Sequence, residues 1–179
     1  MAHLTVSVEY AIHCLLWLAG SGGTALSSRD LAELQQISPS FLAKIFPKLE
    51  KAGIVEASEG VRGGYRLARP PGEISVLHIV DAVEGAKPLF DCQEIRRRCA
   101  TFGNLPPTWA TAGVCAIHAV MLKAEQAMRD ELATHSLGDL ATTFAGKAPA
   151  EFVAHVQDWM VDRVKARKPG RRTRPEPPP

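Results

Sequence analysis

The apolar residues between positions 5 and 85 change period twice, and this constrains the fold more than any other feature of the chain. Val8, Ala11, Ile12, Leu15 and Ala19 recur at helical spacing, predicting an amphipathic helix from about Thr5 to Ala19 that the Gly20-Ser21-Gly22-Gly23 run ends. Ser27 or Ser28 is placed to cap a short second helix with Asp30 in its first turn and Leu31, Leu34 and Ile37 on its apolar face. A third helix starts with Ser38 as N-cap and Pro39 at the first helical position, where a missing amide hydrogen costs nothing. It turns Leu42, Ile45, Phe46 and Leu49 inward and stops at Gly53, while Pro47 inside it removes a donor and should kink or shorten it. The period then falls to two. Ile54 to Ala57 and Tyr65 to Ala68 read as strands around the glycine-bearing run Ser58 to Gly64. Helical spacing returns at Val76, Ile79, Val80 and Val83, behind Ser75 as N-cap and ahead of Gly85.

Two helices, a tight turn and a β-hairpin form the order of a winged helix-turn-helix. The expected class is therefore mainly α with a small β-hairpin wing, extended by a long dimerisation helix. Residues 1–86 form the DNA-binding domain in this reading, and 87–113 form a loop bearing cysteines and lacking periodicity. Residues 114–145 form a dimerisation helix region, in which Ile117, Met121, Ala124, Met128 and Leu132 approach a seven-residue repeat. That seam could instead pack on the chain's own helices. Residues 146–166 form a last helix with Phe152, Val156, Trp159 and Met160 on one face, and 167–179 a disordered basic, Pro-rich tail.

Composition narrows the function classes. With 179 residues, 46% hydrophobic and 22% charged, the chain can bury a core without disulfides. The most apolar run, Tyr10 to Ala19, carries His13 and is shorter than the roughly 18 residues of a membrane span. No Lys or Arg precedes it, unlike a secretory leader, so a cytoplasmic protein without a membrane partner is expected. The net charge of +2 is uneven: from Arg163 onward seven basic residues face Glu176 alone, leaving 14 basic and 18 acidic residues before them.

Two groups of residues carry chemistry. At the start of the third helix, Ser38, Ser40, Phe41 and Lys44 are placed to face base edges in a major groove, and Arg62 at the glycine-flanked hairpin tip to enter a minor groove. Cys92, Cys99 and Cys115 fall within 24 residues, which in a reducing compartment points to metal or redox chemistry before disulfides. Glu9 and His13 sit one helical turn apart on one flank of the first helix, a spacing that lets both meet one metal; a solvent-facing hydrogen-bonded pair has the same spacing. Cys14 stands apart from that flank, beside Leu15 and Leu16, as a buried thiol.

The runs Phe41-Leu42-Ala43-Lys44, Leu49-Glu50-Lys51-Ala52-Gly53-Ile54-Val55 and Arg62-Gly63-Gly64-Tyr65-Arg66-Leu67-Ala68 resemble those of the IscR and NsrR family of bacterial winged-helix regulators. Leu4-Thr5, Tyr10-Ala11-Ile12 and Ile79-Val80-Asp81-Ala82-Val83-Glu84-Gly85 extend the resemblance over about residues 3 to 145. It implies a homodimeric transcription regulator, a repressor rather than an enzyme, whose hold on a double-stranded operator follows the state of an iron-sulfur cluster at the dimer interface. No small-molecule substrate is implied. The spacing Cys92-x6-Cys99-x15-Cys115 departs from the family's closely spaced cysteines. The Glu-x3-His pattern of the first helix instead resembles the RsrR-type branch, which implies a 2Fe-2S cluster held by Glu9 and His13 of one subunit with Cys92 and Cys115 of the other; imidazole ligation of such clusters is established chemistry. Cys99 and His118 are alternate ligands. Two other readings remain open: a metal-free thiol switch on the same DNA-binding frame, and an enzyme with Glu9 as base beside a zinc held by His13 and cysteines.

Overall fold

The computed structural model describes residues 4–58, 60, 63–103 and 105–167. Helix α1, Val6–Ala19, is capped by the Thr5 hydroxyl and buries Val8, Ala11, Cys14, Leu15 and Leu18. Helix α2, Ser28–Leu34, starts at Ser27, whose hydroxyl accepts the Asp30 amide at 3.1 Å. The turn to helix α3, Pro39–Lys51, is tight because Gln36 takes a left-handed φ of 53°. Leu42, Ile45, Phe46 and Leu49 are all buried, as their spacing predicts.

Pro47 does not shorten α3, which continues for a further turn to Lys51. Pro47 and Ala43 both lie on the exposed side. The Ala43 carbonyl that loses its donor is there open to water, while the four apolar residues opposite hold the helix on the core.

Strands β1, Val55–Ser58, and β2, Gly64–Leu67, pair antiparallel with Val55 opposite Leu67 and Ser58 opposite Gly64. Leu26 pairs with the other edge of β2 as a one-residue third strand, exchanging both backbone bonds with Tyr65 at 3.0 and 2.8 Å. That approach explains Gly64, because a Cβ there would stand 2.5 Å from the Leu26 carbonyl oxygen. The Tyr65 ring lies 4.6 Å from that of Phe46, fastening the hairpin to α3.

Helix α4, Val76–Glu84, opens with a reciprocal cap between Ser75 and His78 and buries Ile79, Val80 and Val83. Residues 87–113 contain two short 3-10 turns, Ile95–Arg98 and Ala100–Phe102, and a one-turn helix α5, Thr108–Thr111.

Residues 114–145, expected as a dimerisation helix region, contain two helices. Helix α6, Ala116–Thr134, ends at His135, and helix α7, Leu137–Lys147, begins with a reciprocal cap between Ser136 and Asp139. Ser136 pairs with Ser75, and the Leu137 amide donates to the Ile74 carbonyl at 2.7 Å, which folds α7 back onto α1. The seam of α6 behaves differently along its length. Met128 and Leu132 are half-buried toward α4, whereas Ile117, Val120, Ala124 and Ala127 are exposed. Helix α8, Ala150–Ala166, buries Val156 and Met160. Among the described residues no helix is long and apolar enough to cross a membrane.

The close approach at Gly64 gives a direct test. Gly64→Ala should lower stability by about 1–3 kcal/mol through overpacking against backbone, whereas Gly72→Ala, where an added Cβ meets nothing within 4 Å, should stay within about 0.5 kcal/mol of the parent in chemical denaturation. Equal losses at the two positions would contradict the close pairing of Leu26 with β2 at Gly64.

Candidate metal centre and nucleic-acid interface

The start of α3 presents Ser38, Ser40 and Lys44 on an exposed face. Ser38 does not cap the helix through its side chain; its hydroxyl lies 2.8 Å from that of Ser40. Two hydroxyls and one ammonium within two turns can hydrogen-bond base edges or phosphates. Phe41 departs from the sequence reading: its ring is half-buried and packs edge-on against Tyr10 at 5.5 Å, so it fixes α3 to α1 instead of facing a groove. At the other end of α3, Lys48 donates to the Val83 carbonyl at 2.7 Å, tying the helix to the end of α4. Arg62 lies outside the described residues. The neighbouring wing turn is closed by the Gly63 amide donating to the Gly60 carbonyl at 2.9 Å.

The cysteine loop is stitched together by one arginine. Arg96 donates to the Ala112 and Gly113 carbonyls at 3.1 and 2.6 Å and to the Glu94 carboxylate at 2.9 Å. It thereby draws the segment after Cys92 against the segment before Cys115, and both thiols lie within electrostatic range of the guanidinium. Glu94 occupies a left-handed backbone conformation, φ 49°. That bend turns its carboxylate back toward Cys92, whose Sγ is 3.9 Å away. With His118 in the first turn of α6, the chain brings one ligand atom each of Cys92, Glu94 and His118 within 4.8 Å of one another, all half-buried. The Arg96 hydrogen bond, helped by the nearby charges of Arg96 and Arg97, holds the Glu94 carboxyl below its usual range, so it is ionised at neutral pH.

Neither Glu94 nor Arg96 is among the residues that the sequence motifs single out. The Cys-x-Glu spacing was visible, but the backbone bend that gives it meaning was not. Cys99 is exposed with its sulfur 3.1 Å from the Thr101 hydroxyl, and that hydrogen bond lowers its pKa. Cys14 is buried, and desolvation pushes its thiol up to about 12.

Glu9 and His13 stand elsewhere, exposed on α1. They line an open concavity of about 570 Å³ together with Leu4, Val8 and Ile12. Among the described residues neither side chain makes a hydrogen bond or an ion pair, with the other or with any neighbour. The pair is therefore not the hydrogen-bonded couple that its spacing also permits, and within one chain it is not brought to the cysteines.

An exposed helix start, a glycine-bearing wing and a second set of ligand-type side chains on a separate loop define a DNA-binding regulator of the winged helix-turn-helix class. Comparison with known proteins agrees. The model of the Rrf2 family, described as iron-dependent transcriptional regulators, matches residues 4–143. The chain is 31% identical over 140 residues to the transcriptional regulator NsrR of Halalkalibacterium halodurans, spanning 78% of this chain and 90% of that one. Among solved structures it resembles the IscR of T. potens, with a TM-score of 0.60 at 24% identity over 84% of this chain and 96% of that one. It also resembles CymR, the global cysteine regulator of B. subtilis, with a TM-score of 0.62 at 22% identity over 80% and 98%. The chain belongs to the Rrf2 family and is a DNA-binding transcription regulator, not an enzyme.

The thiol environments predict an order of reaction, because the thiolate is the nucleophile. In the metal-free folded chain at pH 8, iodoacetamide should modify Cys99 well before Cys14, and Cys14 only once denaturant exposes it, as read by peptide mass mapping. Equal rates at the two sulfurs in the folded state would contradict the burial of Cys14.

Proposed function

We propose that the chain is a cytoplasmic homodimeric repressor whose grip on its operator is set by an iron-sulfur cluster between the subunits, a 2Fe-2S cluster held by Glu9 and His13 of one subunit and Cys92 and Cys115 of the other. The observation that carries this reading is the state of Glu9 and His13: exposed, unpaired and beside an open concavity on α1. Two ligand-type side chains without side-chain partners among the described residues fit a site that a second subunit completes. The exposed Ile117, Val120, Ala124 and Ala127 of α6 follow directly after Cys115 and supply the apolar seam such a dimer needs. Three of the four donors fit directly, since thiolates and an imidazole are ordinary cluster ligands while the Glu9 carboxylate is a harder one, and Arg96 lies where it offsets the negative charge that thiolates bring.

When bound, the cluster would gain or lose an electron and so change charge at the interface. The chain's own bonds then connect that interface to the reading head. The Leu89 amide at the start of the cysteine loop donates to Glu125 on α6 at 3.0 Å. Arg129, one turn further along α6, pairs with Asp81 on α4 through two bonds of 2.9 and 2.8 Å, and α4 receives Lys48 of α3. A shift of α6 against its partner therefore moves α3, and with it the spacing of two recognition helices that read half-sites about 34–36 Å apart. A preference of about 1–3 kcal/mol between two dimer settings changes affinity 5- to 150-fold.

A second reading has its own support. The convergence of Cys92, Glu94 and His118 offers a site within one chain, with His118 as the nitrogen ligand. The two separate cleanly by spectroscopy. In anaerobically prepared protein, nitrogen hyperfine coupling at the iron should vanish in His13→Ala and persist in His118→Ala; the opposite pattern would assign the ligand to α6 and leave α1 outside the site. On the DNA side, Lys44→Ala and Arg62→Ala should each weaken operator binding by about 1–3 kcal/mol if they make base contacts. Unchanged affinity in both folded variants would remove this docking.

A further inference from the structure

Helix α8 lies outside the residues that the family model matches, yet its far end reaches the reading head. Arg167, expected as the first residue of the basic tail, is placed instead between two parts of the DNA-binding domain. One arm of its guanidinium donates to the Gly63 carbonyl in the wing turn at 2.6 Å, and the other pairs with the Asp30 carboxylate in the first turn of α2. The same Asp30 oxygen accepts from the Ser27 hydroxyl at 2.6 Å, and that hydroxyl caps α2. Ser27 follows Leu26, whose backbone pairs with Tyr65 on β2. One side chain therefore joins the wing turn, the start of α2 and the end of α8.

Burial separates this contact from its neighbour on α8. The Arg167 and Asp30 side chains are 17% and 14% exposed, whereas Arg163 and Glu33, one turn earlier on each helix side of the contact, are 40% and 50% exposed. An exposed pair holds geometry weakly, but removing one partner of a largely buried, charge-assisted bond leaves the other unsatisfied. The wing turn has little of its own to hold it in place. Gly60 and Gly63 carry no side chains to pack, and the turn is closed by the Gly63 amide on the Gly60 carbonyl. A guanidinium suits the task because its planar fork serves a carbonyl and a carboxylate at once.

From this arrangement we infer that Arg167 is a positioning residue for operator binding: it holds the wing turn in the setting that docks on the duplex, and α8 is the strap that delivers it. The inference rests on the docking of α3 and the wing proposed above. Arg167 acts through the Gly63 carbonyl and the start of α2, without touching DNA itself. By fixing the turn in the free protein it removes an ordering step from binding. Ordering the backbone of even one residue at the moment of binding changes affinity about 5- to 30-fold.

The test uses the full chain, Arg167→Met, which keeps an apolar stem without donors, and Arg163→Met as the control on the preceding turn. Each is titrated with a duplex selected from random sequence by the full chain, and amide hydrogen exchange of the wing peptide is followed by mass spectrometry with and without that duplex. Arg167→Met should bind about 5- to 30-fold more weakly, and its wing amides should exchange faster before DNA is added. Arg163→Met should match the full chain in both readings. Should Arg167→Met not fold, Arg167→Lys, which keeps a charge for Asp30 but lacks the fork, is judged by the same two readings. Lower thermal stability with operator affinity unchanged in the folded protein would overturn the inference, since Arg167 would then be merely structural. Weaker binding with unaltered wing exchange would overturn it too, because the effect would not pass through the wing. Failure of the underlying docking, which takes the inference with it, is seen separately in the full chain: the duplex would then leave its wing exchange as fast as in the free protein.

Discussion

Helix α4 packs simultaneously on α1, α3 and α6, and the rest of the molecule is arranged around that three-way contact. Ile79, Val80 and Val83 are buried within it, each contributing about 1.5–3 kcal/mol by leaving water. Its polar atoms hold the neighbours in place. Glu84 accepts from the backbone and hydroxyl of Thr5, which fixes the start of α1; Asp81 receives Arg129 of α6; and the Val83 carbonyl receives Lys48 of α3. Ser75, at its first turn, pairs with Ser136 and so places α7.

These interactions divide by magnitude. The Arg129–Asp81 pair is about one-third exposed on both sides, and pairs of that kind contribute about 0–1 kcal/mol to stability. Its two parallel bonds nevertheless impose one geometry, so its effect is on how α6 sits against α4 more than on whether either is folded. Apolar burial holds the domain together, and a few directional bonds decide its setting. A regulator needs this separation: a switch worth a few kcal/mol can change the setting of two packed elements without melting either. Arg96 acts on the same principle in the cysteine loop, where few apolar residues are buried and one guanidinium joining two segments takes the place of a core.

Elements whose ends carry their own chemistry were legible in the sequence. Thr5, Ser27, Ser75 and Gly85 bound α1, α2 and α4 where caps and periodicity agree. Helix α7 escaped because its apolar stripe follows that of α6 almost without interruption, although Ser136-x-x-Asp139 is the capping signal that separates them. Pro47 was read by its local cost alone, and packing on the opposite face outweighed it. Phe41 has the position of a base-reading residue and the chemistry of a core one, and Tyr10 decides between them. The approach of Glu94 to Cys92 depends on a left-handed backbone at a residue type that rarely adopts it, which no periodicity announces. The hydrogen bond from Arg167 to the Gly63 carbonyl likewise joins positions more than a hundred apart in sequence, which no local pattern announces.

In the proposed switch, the state of a cluster shared between subunits sets operator affinity through α6, α4 and α3. The most direct measurement is made on one anaerobic preparation of the full chain. Its visible spectrum, iron and acid-labile sulfide are determined, and a selected operator duplex is titrated before and after oxidation or removal of the cluster. The account predicts a coloured protein with matching iron and sulfide, and an operator affinity that changes about 5- to 150-fold between the states. A protein that binds the operator with one and the same affinity with the cluster intact, oxidised or removed would contradict it.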